Sequence, residues 1–88
     1  MNLPNAFSPN GDGKNEIFRV INGQQIEKLR LEIFNRFGQK VFETDDYKAG
    51  WDGNLKGVAQ PAGIYIWSCK FTQTRIDMYR KGVVALIR

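Results

Sequence analysis

Five apolar residues, Val83-Val84-Ala85-Leu86-Ile87, run without interruption up to Arg88. A chain carrying such a run has to bury it. The run is far too short to cross a bilayer as a helix, which takes about 20 residues. Its β-branched residues favour an extended strand, and an apolar residue at every position predicts a strand covered on both faces. A chain end tied into a sheet is ordered, and it gives another protein a fixed point to read.

The remaining sequence is built from strand and turn signals. Leu29, Leu31 and Ile33 alternate with Arg30 and Glu32, and Lys40 to Thr44 returns after the turn residues Phe37-Gly38-Gln39, so Leu29 to Thr44 predicts a hairpin. Tyr65, Trp67, Cys69 and Phe71 should share one face of a long strand, with Ile64, Ile66 and Ser68 on the other. Met78 to Ile87 then comes back as the final strand. Leu3 to Phe7 and Ile17 to Ile21 read as short strands, and an edge strand is expected between Lys56 and Ala59. The one helical candidate is a short turn from Asn22 to Ile26, and it lacks a sustained 3.6-residue period. Turns at intervals of roughly 8–12 residues predict an all-β fold, an antiparallel immunoglobulin-like β-sandwich of about seven strands. A small open barrel is the alternative. A length of 88 residues suits one domain over 1–88, and six Phe, three Tyr and two Trp supply its core.

Chemistry is thinly supplied. The chain has no His, so the commonest general base and metal ligand are missing. Ser8 and Ser68 have no base to activate them. Asp45 and Asp46 are adjacent and face opposite ways on an extended segment. Cys69 is alone, which rules out an internal disulfide, and its inward strand position predicts a small buried side chain. An enzyme is not expected. The net charge of +4 is spread along the chain with no dense run, which argues against nucleic acid as the partner. No stretch reads as a signal peptide or a membrane span, so no membrane insertion is expected.

Three groups of residues remain as candidate sites. Asn10, Asp12 and Glu16 place oxygens along the glycine-containing segment Asn10 to Glu16, which overlaps the turn cluster Ser8 to Gly13, and calcium is the ion such ligands suit. Two carboxylates imply weak calcium binding at most, and no other cofactor is expected. The competing reading is a turn held by Asx-type hydrogen bonds. Trp51-Asp52-Gly53 predicts a buried aromatic plug placed by a turn, the alternative being a sugar- or peptide-binding platform with Tyr47. Lys28, Arg30, Arg36 and Lys40 on the hairpin, and Arg75, Arg80, Lys81 and Arg88 around the last strand, either solvate the outer face or recognise a partner.

Taken in order, the motifs Pro4 to Gly13, Leu31-Glu32-Ile33-Phe34-Asn35-Arg36-Phe37-Gly38, Val41 to Thr44, Trp51-Asp52-Gly53, Pro61-Ala62-Gly63-Ile64-Tyr65 and Gly82 to Arg88 form a pattern. It resembles the gliding-motility-associated C-terminal domain, the type B C-terminal sorting domain of the type IX secretion system of Bacteroidota. Three positions depart from that family's usual pattern: Phe37 replaces a Trp, Glu16 an Asp and Ala85 a Thr. The resemblance implies a fragment of a large secreted or cell-surface protein, such as an adhesin, with Arg88 as its end. It implies export through periplasm and outer membrane of cargo domains lying N-terminal in the same chain. The implied partners are the type IX translocon and an outer-membrane protein of the PorP/SprF kind. Arg80, Lys81, Leu86, Ile87 and Arg88 are then the expected partner contacts, with β-addition at the adjoining edge as one way to dock. An extracellular adhesive or carbohydrate-binding immunoglobulin-like module is the alternative function.

Overall fold

The computed structural model describes residues 3–9, 16–21 and 26–88. The described residues contain strands and turns and no helix. The strands are β1 (Ala6–Phe7), β2 (Ile26–Phe34), β3 (Lys40–Thr44), β4 (Asn54–Leu55), β5 (Val58–Ala59), β6 (Gly63–Gln73) and β7 (Ile76–Leu86). Five of them form one sheet in the order β1-β7-β6-β2-β3, and β4 pairs with β5 in a separate ribbon. All pairings are antiparallel except β1 with β7, which is parallel. The all-β, mainly antiparallel expectation is met.

The hairpins follow from local chemistry. Between β2 and β3, the Asn35 side-chain oxygen accepts hydrogen bonds from the N–H groups of Phe37 and Gln39, each at 2.9 Å, and Gly38 takes a φ of 83°. This is the asparagine-led turn geometry that frees the backbone to reverse. The β4–β5 and β6–β7 connections are two-residue turns. Lys56-Gly57 and Thr74-Arg75 all carry positive φ, as the twist of a tight hairpin requires.

One face of the five-stranded sheet is the core. Leu29, Leu31 and Ile33 of β2 lie opposite Phe71, Cys69 and Trp67 of β6. Tyr65 lies opposite Val84, and Trp67 opposite Gly82. Gly82 is needed there, because a Cβ would sit 2.8 Å from the Trp67 ring. A thin second layer covers this face. Phe18 and Trp51 exchange reciprocal backbone hydrogen bonds of 2.9 Å and bury their side chains completely. Gly50 permits that approach, since a Cβ would lie 2.4 Å from Ile17 and 2.7 Å from the Phe18 carbonyl.

Four details differ from the sequence expectation. The strand expected at Leu3 to Phe7 shrinks to Ala6–Phe7, since Pro4 has no N–H for a ladder. Ile17 to Ile21 alternates as expected, with Phe18 and Val20 buried and Ile17 and Ile21 exposed. It meets the loop at Trp51 instead of a partner strand, so it forms an isolated bridge. The segment Lys56 to Ala59 is half turn and half strand. The final strand has only one covered face: Val84 and Leu86 are buried, whereas Val83 and Ile87 are 57% and 53% exposed. Uninterrupted apolarity does not require two-sided burial when the second layer lies on one side only. Of the Asn22 to Ile26 turn, positions 22–25 lie outside the described residues and Ile26 opens β2.

Candidate functional site

Strand alternation separates the five residues expected to meet a partner. Arg80 lies opposite Cys69 and therefore points to the core side of β7, at its exposed rim, while Lys81 lies opposite Ser68 on the outer side. Leu86 is 2% exposed, so it holds the strand in place and offers nothing to touch. Ile87 is exposed, but six residues beyond Lys81, or roughly 20 Å along an extended chain. Arg88 turns back on the domain itself. Its Nε donates to the Gln60 carbonyl and its Nη2 to the Gly53 carbonyl, both at 2.8 Å. A terminal cation that reads as a free docking charge is thus a clamp between the end of β7 and the β4–β5 ribbon. The sequence carries no local signal for this contact, which spans 28 and 35 positions.

The basic hairpin residues are also unequal. Arg30 pairs with Glu43, and Lys40 bridges Glu32 and Glu43, each at 2.7 Å. The Glu32 and Glu43 carboxylates on the Lys40 ammonium hold its pKa above the usual lysine range. The hydrogen bond from Lys40 holds the Glu43 carboxyl below the usual carboxylate range. Arg36 stacks over the Phe37 ring at 4.9 Å, and that ring is 80% exposed at the hairpin tip. By contrast, Lys28, Lys70 and Lys81 have no carboxylate within ion-pair distance among the described residues. The sequence reading did not single out Lys70. The signal was available: Lys70 is the one charged residue in the outward positions of an otherwise apolar and hydroxylic β6.

Trp51 is the plug and not the platform. It has no exposed surface, its ring packs 5.4 Å from Phe7 and 4.9 Å from Tyr65, and its Nε1 donates to the Asn54 carbonyl at 2.9 Å. That burial corrects the alternative in which Trp51 and Tyr47 stack on a sugar. Tyr47 itself is half-buried and packs against the core. The Tyr65 hydroxyl donates to the Pro61 carbonyl at 2.7 Å, and burial raises its pKa. Cys69 is fully buried as expected, and burial pushes its thiol up to about 11.

Of the candidate calcium ligands, Asn10 and Asp12 lie outside the described residues, and Glu16 is half-buried. Among the described residues no group of three or more His, Cys, Asp or Glu could hold a metal ion.

The arrangement is that of an all-β module organised around its own last strand, with polar surface chemistry suited to contact. Residues 1–86 match the family model CHU_C, the type IX secretion signal domain, and the chain belongs to that family. It is therefore a C-terminal sorting domain whose role is recognition by the type IX secretion system and export to the cell surface or medium. No curated protein and no solved structure matches.

Proposed function

We propose that this domain is the folded address of a larger protein, read by the type IX translocon in the periplasm and carried with its N-terminal cargo across the outer membrane. An outer-membrane protein of the PorP/SprF kind is the proposed immediate receptor. The role is binding, with no chemical step. One observation carries the reading: the family match spans 1–86 and so takes in every strand, from β1 to β7. A signal distributed over a whole fold is read as a shape, unlike a short unfolded tag. The inward-turned Arg88 and the buried Leu86 fit this, since they fix the last strand and leave the surface around it to be recognised.

The test is a fusion of the chain to the C-terminus of an inert periplasmic reporter. Export in a host with an active type IX system, together with periplasmic retention in a translocon mutant, is the expected result. Retention in both hosts would refute the address. A Trp51→Ala fusion, destabilised by the loss of a large buried aromatic, should be exported less than the wild-type fusion even when the translocon is intact.

A further inference from the structure

Cross-strand partners point to the same side of a sheet, so the register fixes what the outer face displays. At one end, Phe34, Ile66 and Val83 stand side by side across β2, β6 and β7, and Ile64 and Ala85 form the next row. Ile64, Ile66 and Val83 are about half exposed, which makes the two rows an apolar patch open to water. Contiguous apolar surface of this kind marks interaction sites on soluble proteins. At the other end, Arg30, Lys70 and Tyr79 form one row and Lys28, Thr72 and Asp77 another. These six line an open hollow of about 500 Å³.

The hollow has an unbalanced charge. Arg30 and Lys70 are directly opposite each other, and like charges in that position destabilise an antiparallel pair. Arg30 is drawn to Glu43 on its far side, but Lys28 and Lys70 have no carboxylate in ion-pair range among the described residues. Asp77 is the one acidic lining residue, and it accepts a hydrogen bond from the Thr72 hydroxyl at 2.7 Å. Between the hollow and the apolar patch runs a row made of Glu32, Ser68 and Lys81, where Glu32 is held by Lys40 and Lys81 has no ion-pair partner among the described residues. The face therefore presents unsatisfied positive charge and exposed aliphatic side chains within two or three rows, each row roughly 7 Å from the next.

We propose that the outer face of the five-stranded sheet is where the export machinery grips the folded domain, and that it takes an acidic segment of a protein. Carboxylates enter the hollow between Lys28, Arg30 and Lys70, and apolar side chains of the same segment cover Ile64, Ile66 and Val83. The proposal rests on the sorting-signal reading and adds the face and the chemistry of its partner. A carboxylate seated between Arg30 and Lys70 relieves their repulsion, so the bound state is favoured by the defect that the free domain carries. Nucleic acid suits the face poorly, because of the two aromatic residues lining the hollow Phe71 is buried and only Tyr79 is exposed, and isoleucine rows give bases nothing to stack on. An anionic bilayer would feel the same cations, and the experiment separates it from a protein.

Lys28→Glu/Lys70→Glu and Ile66→Thr/Val83→Thr are made in the reporter fusion and in the 88-residue chain. Lys70→Glu sets a carboxylate opposite Arg30, so the charge-reversed chain should keep or raise its thermal midpoint. Its export should nevertheless fall by roughly tenfold or more. Ile66→Thr/Val83→Thr retains strand propensity and should lose export in the same direction. Lys28→Gln/Lys70→Gln, which removes charge without reversing it, covers the case in which the reversed variant does not fold. Export of the folded charge variants at the wild-type level overturns the proposal and leaves the sorting role standing, whereas failure of the wild-type fusion overturns the sorting role itself. In solution, poly-L-glutamate should shift the amide resonances of Lys28, Lys70, Tyr79 and Ile66, and phosphatidylglycerol vesicles should not. A response to the vesicles instead, or to neither probe, overturns the acidic segment as the occupant.

Discussion

Trp51 shows how one side chain can set the second layer of a small β protein. Its indole is the largest fully buried side chain, it touches the rings of Phe7 and Tyr65, and its N–H is satisfied by the Asn54 carbonyl. Its backbone closes the reciprocal bridge to Phe18. Removing a large buried aromatic leaves a cavity that the surroundings refill only in part. Trp51→Ala should therefore destabilise the chain by about 3–5 kcal/mol in a denaturant titration. A loss under about 1 kcal/mol would mean that the layer closes without it. The sequence alone makes this residue legible, since a lone Trp before Asp-Gly in a loop has to go somewhere dry. It does not make Gly50 legible, because that glycine is required by an approach to Ile17 and Phe18 more than 30 positions earlier.

At the scale of elements, the paired strands are easier to read than the pieces that cover them. β2 and β6 show two-residue periodicity over five or more positions, and the structure keeps that periodicity. The segment at Ile17 to Ile21 also alternates, yet whether it finds a ladder partner depends on the distant loop at Trp51. The turns hold a more specific lesson. Thr74 and Arg75 both sit at positive φ, 52° and 63°, where β-branched and long side chains are strained. The Arg75 backbone N–H donates to Glu27 at 2.9 Å, and a glycine would keep that bond. Replacing Thr74-Arg75 with Asn-Gly should stabilise the β6–β7 hairpin by about 1 kcal/mol, which in a domain of this size is roughly 4–8 °C in thermal midpoint. An unchanged or lower midpoint would show that the strain is relieved elsewhere. The β2–β3 pair has its own pH signature. The folded-state pKa of Glu43 is depressed by the hydrogen bond from Lys40, so its contribution is present above the unfolded carboxylate range and is lost as pH falls through the folded value. Glu43→Gln should lower the thermal midpoint at about pH 7, and the difference should vanish at about pH 2. A difference that persists in acid would assign the effect to packing of the side chain, not to its charge.

For the whole molecule, the last strand is the element on which the other parts converge. β7 pairs with β6 over its full length, receives β1 at Ala85 and Leu86, and sends Arg88 to the β4–β5 ribbon. The final apolar run therefore predicts the importance of this strand correctly and misassigns its parts. Alternation sends Leu86 inward and Ile87 outward, and no composition argument distinguishes them without the register. The outer-face hollow was not legible for the same reason: Lys28, Lys70 and Tyr79 become neighbours only once three strands are set side by side. Two truncations separate the roles of the strand. Deleting Arg88 removes two hydrogen bonds to Gly53 and Gln60 and leaves every strand pairing intact. Amide exchange should then speed up at Gln60, whose N–H bonds Gly53, and stay slow at Leu31 and Cys69. Deleting Val84 to Arg88 takes away two fully buried aliphatic side chains, each worth about 1.5–3 kcal/mol, and with them the whole attachment of β1. Set against the roughly 5–15 kcal/mol that holds a typical domain together, and with Phe7 losing its seat beside Trp51 as well, that loss should leave the chain unfolded. A cooperative melting transition surviving the longer deletion would show that β6 with the hairpin is a sufficient nucleus, and that the last strand serves recognition more than stability.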